Sequence, residues 1–229
     1  MISIIIPLHD SYTTVIRCMD SINRSAAAAD VEVEAIFILD GPDQRTSEAI
    51  QDHQASPFVK RVIKTQQHSG IAAARNRGVA EATNSLVTFL DADDELTSER
   101  LHFAKSNVIS GIVIGHQELA QTDRLPPGLH ESAASSSRIP YITSLITTRH
   151  VLDQLGGFEG ALTFGDDWDL VLRARRSNVP IYIIDEVWVM RHIDERNASR
   201  DTKTLASDYF AAIRTHLRET SSQPSSGEP

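Results

Sequence analysis

The chain opens on a near-continuous apolar run, Ile2–Pro7 (ISIIIP), the pattern of a strand covered on both faces. Similar β-rich runs recur at Val31–Leu39, Val59–Thr65 and Ser85–Leu90, with helix-length segments between them. The first helix is expected from about Tyr12, capped near Asp10 or Ser11, the second over Thr46–Gln54 and the third over the Ala-rich Ile71–Ala82. This alternation predicts an α/β fold: βαβ units on a Rossmann-like, mostly parallel central sheet with flanking helices.

The pattern is less regular in the second half. Strands are expected at Ser110–His116, in YITSLITT, at Ile181–Asp185 and at Val187–His192. Short helices are expected in RHVLDQLGGF, closed by Gly156-Gly157, and over Asp167–Ser177, where Trp168, Val171 and Leu172 form the expected buried stripe. Thr204–Glu219 reads as an amphipathic helix, and residues 219–229 as a disordered tail. The polar stretch Gln117–Pro140, with its LPPG and SAASSSR, is too long and breaker-rich for a regular element and is expected to be a lid over the ligand or a surface insertion. One domain over residues 1–218 is expected, with a ligand-binding half at 1–95 and a second half at 96–218.

Composition narrows the function classes. With 229 residues, 41% of them apolar and 23% charged, the chain can bury one sizeable core. Its formal net charge of −9 argues against nucleic acid or an anionic membrane as the main partner. The single Cys18 rules out an internal disulfide and a cysteine-based metal site. Met1 is followed by no basic leader, and no apolar run reaches the roughly 18 residues of a membrane span. A cytoplasmic protein without a transmembrane segment is expected, with at most a peripheral membrane contact.

Candidate chemistry concentrates after the fourth strand, where Asp91, Asp93, Asp94 and Glu95 fall within five residues. Ligands of open α/β sheets collect at such carboxyl ends, where Asp10 and Asp40 also lie. Crowded carboxylates need a raised pKa, a nearby cation or a hard divalent ion. The flanking segment offers no base before Arg100, so Mn²⁺ or Mg²⁺ fits. The alternative is a solvated acidic turn in which Asp94 or Ser98 caps the helix starting near Ser98.

ISIIIPLHD, ILDGPDQRT, HSGIAAARNRGVAEA, FLDADD and LTFGDDWDLVLRA, in that order between Met1 and Asn197, resemble the motifs of family 2 glycosyltransferases with the GT-A fold. The resemblance implies a metal-dependent, inverting transfer of a sugar from a nucleotide-sugar donor, a UDP-sugar being favoured, to an acceptor. It places Pro7, His9 and Asp10 at the nucleotide, Asp40 at the base, Arg75 and Asn76 beside the nucleotide and diphosphate, and Asp91 with Ala92 at the donor ribose or sugar. It makes Asp93 a metal ligand, brings His192 near the metal or diphosphate, and makes Asp167 the general base. Asp166 stands where the family usually has Glu; an Asp after Gly at a helix start also reads as an N-cap. Leu39 and Pro42 depart from the common Asp and Ser around Asp40, which keeps open a catalytically inactive GT-A-like module that binds a nucleotide sugar or a partner. A nucleotidyltransferase would open with a Gly-rich basic loop, and PLHDSYTT has no Gly, Lys or Arg. No Gln-x-x-Arg-Trp motif follows, so a single transfer is expected.

Overall fold

The computed structural model describes residues 1–54, 59–120, 142–160, 165–192 and 214. Its sheet has the order β3-β2-β1-β4-β7-β6-β8-β5, with β1 Ile2–Leu8, β2 Val33–Asp40, β3 Val59–Gln66, β4 Leu86–Phe89, β5 Glu95–Leu96, β6 Ile112–Leu119, β7 Leu145–Thr148 and β8 Ile181–Arg191. β1 to β4 form a parallel half; β7 joins β4 and β6 antiparallel, β6 and β8 run parallel, and β5 closes the edge antiparallel to β8.

Helices cover both faces. On one, α1 (Val15–Ala29) and α4 (Ser98–Ser106) pack Cys18, Met19, Ile22 and Leu101 against Ile2, Ile4 and Ile6. On the other, α3 (Ile71–Glu81), α5 (Arg149–Leu155) and α6 (Asp166–Arg176) pack Ala74, Val79, Leu152 and Leu170 against Ile5, Ile36 and Ile38. The alternation of β1 side chains between these clusters explains its unbroken apolar run. α2 spans Gln44–Asp52, with Asp43 as its N-cap accepting from Thr46 N–H at 3.0 Å.

Pro7 fits inside a central strand because its neighbour has already left. β4 pairs β1 only as far as Ile5, whose carbonyl accepts from Leu90 N–H, and Pro7 faces the same side as Ile5. Its missing N–H therefore falls where no partner strand remains. β1 and β4 thus stop pairing before the carboxyl end of β1.

Several expectations change. α1 starts at Val15, with Thr14 as N-cap and no side-chain cap, so neither Asp10 nor Ser11 caps it; Asp10 sits at φ 49° in the connecting turn. β6 runs on to Leu119, so Gln117–Leu119 belongs to the sheet, and Ala120 N–H still donates to the Arg191 carbonyl; residues 121–140 of the expected lid, most of the C-terminal helix and the tail lie outside the described residues. The two expected strands at 181–192 are one, because the β6–β8 register slips between Ile114 and Gln117 and absorbs Asp185 and Glu186 without ending the strand.

Gly115 sits in that slip. A Cβ there would lie 2.3 Å from the ring of the fully buried Trp188. Gly115→Ala should lower unfolding free energy by about 1–3 kcal/mol, read from chemical denaturation, because the packed indole has no room to retreat.

Candidate active site

The turn after β4 collects three carboxylates. Asp91, Asp93 and Asp94 each offer an oxygen within 4.8 Å of the others. Burial, then the charges of Asp93 and Asp91, push the Asp94 carboxyl well above the usual carboxylate range, although the His192 backbone N–H donates to its Oδ1 at 3.2 Å. Three converging hard oxygen donors on one turn suit a hard divalent cation such as Mg²⁺ or Mn²⁺. Asp94 thus joins the cluster and caps no helix; the N-cap of α4 is Thr97.

Cations approach this turn from distant segments. Arg17 of α1 donates from Nη2 to the Asp93 carbonyl at 2.6 Å. Glu95 takes Arg24 at 2.7 Å, and the His192 Nε2 lies 2.7 Å from its Oε1. The His192 ring is therefore turned toward Glu95, while its backbone N–H meets Asp94. Arg100 does not neutralise the turn by an ion pair. Fully buried, it donates to Thr88 Oγ1, to the Phe89 and Trp188 carbonyls at 2.9 and 3.0 Å, and to the Thr143 carbonyl, tying β4 to β8 behind the turn.

At the ends of β1 and β2 the polar groups hold the cleft wall. Asp40 is buried, and its carboxylate accepts from Gln66 Nε2 at 2.9 Å and from the Ser69 and Gly70 N–H groups, both at 2.8 Å. Burial opposes its charge, but these hydrogen bonds and His68 hold its pKa below the ordinary value. Both oxygens thus anchor the loop leading into α3. His9 reaches the Asp40 carbonyl at 3.0 Å through Nδ1, and its ring lies 4.5 Å from that of His68. Pro7 and Ala92 are buried at the floor.

Arg75 and Asn76 diverge, being about 100° apart around α3. The Asn76 amide both donates to and accepts from the backbone of Phe158, at 2.9 and 2.8 Å. It is a clasp on the loop after α5. Arg75, buried, forks between Asp91 Oδ1 at 3.2 Å and Asp166 Oδ2.

The first turn of α6 carries Asp166, Asp167 and Asp169. Its N-cap is Gly165 in the left-handed region, so Asp166 caps nothing; it pairs with Arg75. Asp169 pairs with Arg173 at 2.6 Å. Asp167 makes no ion pair among the described residues, and its Oδ1 accepts from the Trp168 N–H at 2.8 Å. Burial and the charge of Asp166 push the Asp167 carboxyl up to about 7. The stripe that α6 buries is Leu170, Val171 and Ala174; Trp168 and Leu172 are half-buried, a one-position rotation from the expected stripe caused by the Asp166 and Asp167 side chains turning inward.

The model of glycosyl transferase family 2 matches residues 3–133, more than half of the chain. The chain belongs to this family. It is 31% identical over 98 residues to an uncharacterized glycosyltransferase, EpsJ, of Bacillus subtilis, a match covering 43% of this chain and 27% of that one. It is 27% identical over 147 residues to an uncharacterized glycosyltransferase of Haemophilus influenzae, covering 63% and 57%. The matches thus span less than two thirds of either relative. In fold it is similar to residues 1–349 of S. aureus TarS in complex with UDP-GlcNAc, with TM-score 0.73, 16% identity and coverage of 95% of this chain and 66% of that one. It is likewise similar to the mannosyltransferase PcManGT from Pyrobaculum calidifontis in complex with GDP-Man and Mn²⁺, with TM-score 0.71, 18% identity and coverage of 95% and 64%. The family 2 chain accordingly has the GT-A fold. No helix among its described residues is long and apolar enough to cross a membrane.

Proposed function

We propose that the chain is a metal-dependent, inverting glycosyltransferase acting in the cytoplasm. It moves one sugar from a nucleoside-diphosphate sugar, UDP-sugars being favoured, to an acceptor hydroxyl. The observation that carries this reading is the contrast within the first turn of α6: two acids pair with arginines, and the third, Asp167, makes no ion pair among the described residues and has its pKa near neutrality. A general base works best when its pKa lies near the operating pH.

Asp93, with Asp91 and Asp94, would hold Mn²⁺ or Mg²⁺, which when bound supplies positive charge for the departing diphosphate. Asp167 takes the proton of the acceptor hydroxyl as its oxygen attacks the anomeric carbon and the carbon–diphosphate bond breaks. One displacement inverts the anomeric configuration. The clasped loops around Asp40 and Asn76 hold the cleft walls while donor and acceptor change. The ligand-bound fold neighbours support the donor class: UDP-GlcNAc in TarS, GDP-Man with Mn²⁺ in PcManGT.

A thermal-shift series with nucleotide sugars, each with and without Mn²⁺, tests the donor reading. A donor at a hundred times its dissociation constant should stabilise the protein by about 2.7 kcal/mol, and only with the metal present. No shift with any UDP- or GDP-sugar contradicts it. The base reading adds a pH profile: kcat/KM should rise about tenfold per unit below pH 7 and level off above it, because only the ionised Asp167 accepts a proton. A profile flat between pH 5.5 and 8 removes Asp167 from the role.

A further inference from the structure

We propose that Arg75 is the positioning residue of the base: its guanidinium grips Asp166 to fix the first turn of α6, and its second branch ties that turn to Asp91 at the end of β4. The inference rests on the base reading of Asp167 and gives Arg75 a role other than direct donor contact.

The geometry is one of enclosure. Arg75 is 3% exposed and Asp166 5%. The Phe158 ring lies 5.9 Å from the Arg75 guanidinium carbon and packs edge-on against Phe89 at 5.1 Å. Asn76, next to Arg75, fixes the backbone of that same Phe158. Nη1 and Nη2 each reach an acid on a different element, and Nε is buried without a hydrogen-bond partner among the described residues. An arginine fork holds two carboxylates in fixed relative positions, which a lysine point charge does not.

α6 needs such a grip. Its N-cap Gly165 offers no side chain, so no side-chain cap orients its first turn. With Asp166 anchored, the Asp167 carboxylate one residue on points in one direction relative to the Asp91–Asp94 turn. Among the described residues, the charged groups that act on Asp167 are Asp166 on its own helix and Arg75 from α3, with Asp91 linked through Arg75; Asp169 is engaged by Arg173. Asp166 raises its proton affinity and Arg75 lowers it.

Two variants should therefore move the acidic limb of the kcat/KM profile in opposite directions. Arg75→Gln removes the cation and should shift it up by about one pH unit; Asp166→Asn removes the anion and should shift it down by a similar amount. Donor affinity by calorimetry should stay within about threefold in both, so the loss appears in kcat and not in KM. Arg75→Lys, which keeps the charge and guards against a misfolded Gln variant, should leave the limb near that of the wild type but cut kcat by about tenfold or more, because it cannot bridge both acids. Limbs that stay put in all three variants while melting temperatures fall reduce Arg75 to a scaffold role and overturn the proposal. So does a tenfold loss of donor affinity in Arg75→Lys with an unmoved limb, which makes Arg75 a donor contact. Undiminished transfer in Asp167→Asn is a separate result and overturns the base reading itself.

Discussion

Asp167→Asn should bind nucleotide sugar as the wild type does and lose transfer by about 10²–10⁴-fold, the usual contribution of a general base. The same substitution should stabilise the protein. Burial and Asp166 raise the folded-state pKa of Asp167 to about 7 from an ordinary 3.8. An acid raised in this way binds its proton more tightly when folded, so its charged form costs stability. That cost is absent below about pH 4, grows between about pH 4 and 7, and is complete above that window. A neutral amide of the same shape, still accepting from the Trp168 N–H, should therefore raise unfolding free energy at pH 8 by about 1–3 kcal/mol and have little effect at pH 4. Denaturation at the two pH values checks the sign. Lost activity with unchanged or lower stability at pH 8 would place Asp167 in a different environment.

Asp93→Ala should abolish Mn²⁺-dependent donor binding, measured by calorimetry, and leave the fold intact. Removing one carboxylate from three that lie within 4.8 Å relieves repulsion, and the contact from Arg17 goes to the Asp93 carbonyl, which alanine retains. The melting temperature without metal should hold or rise. Full metal-stimulated turnover in this variant would move the metal site away from the turn.

Why some of this was legible and some was not follows from sequence separation. The β1–β4 half reads directly because each strand is a short apolar run between helix-length segments, and the acidic cluster because its carboxylates are local. The partners of those acids are not local. Arg75 and Asp166 are 91 residues apart, and Glu95 and His192 are 97 apart. Arg100 is near the turn in sequence, yet it points behind the sheet to carbonyls of β4 and β8. Asn76 adjoins Arg75 in the chain but faces Phe158, and the helical period was the available signal. A Gly-Asp helix start reads as an N-cap, and the burial of Asp166 against a distant arginine leaves no local trace. The partners of Asp40 are equally remote, because the Ser69 and Gly70 N–H groups that donate to it arrive from another crossover.

The most direct test of the whole account is release of nucleoside diphosphate from a panel of UDP- and GDP-sugars, with water or added saccharides as acceptor, in the wild type and in Asp167→Asn. The account predicts Mn²⁺- or Mg²⁺-dependent release by the wild type from the donor that also stabilises it thermally, and loss of that release in Asp167→Asn with donor binding retained. Donor binding without release from any nucleotide sugar, identical in the two proteins, would contradict it and leave a binding module on the same fold.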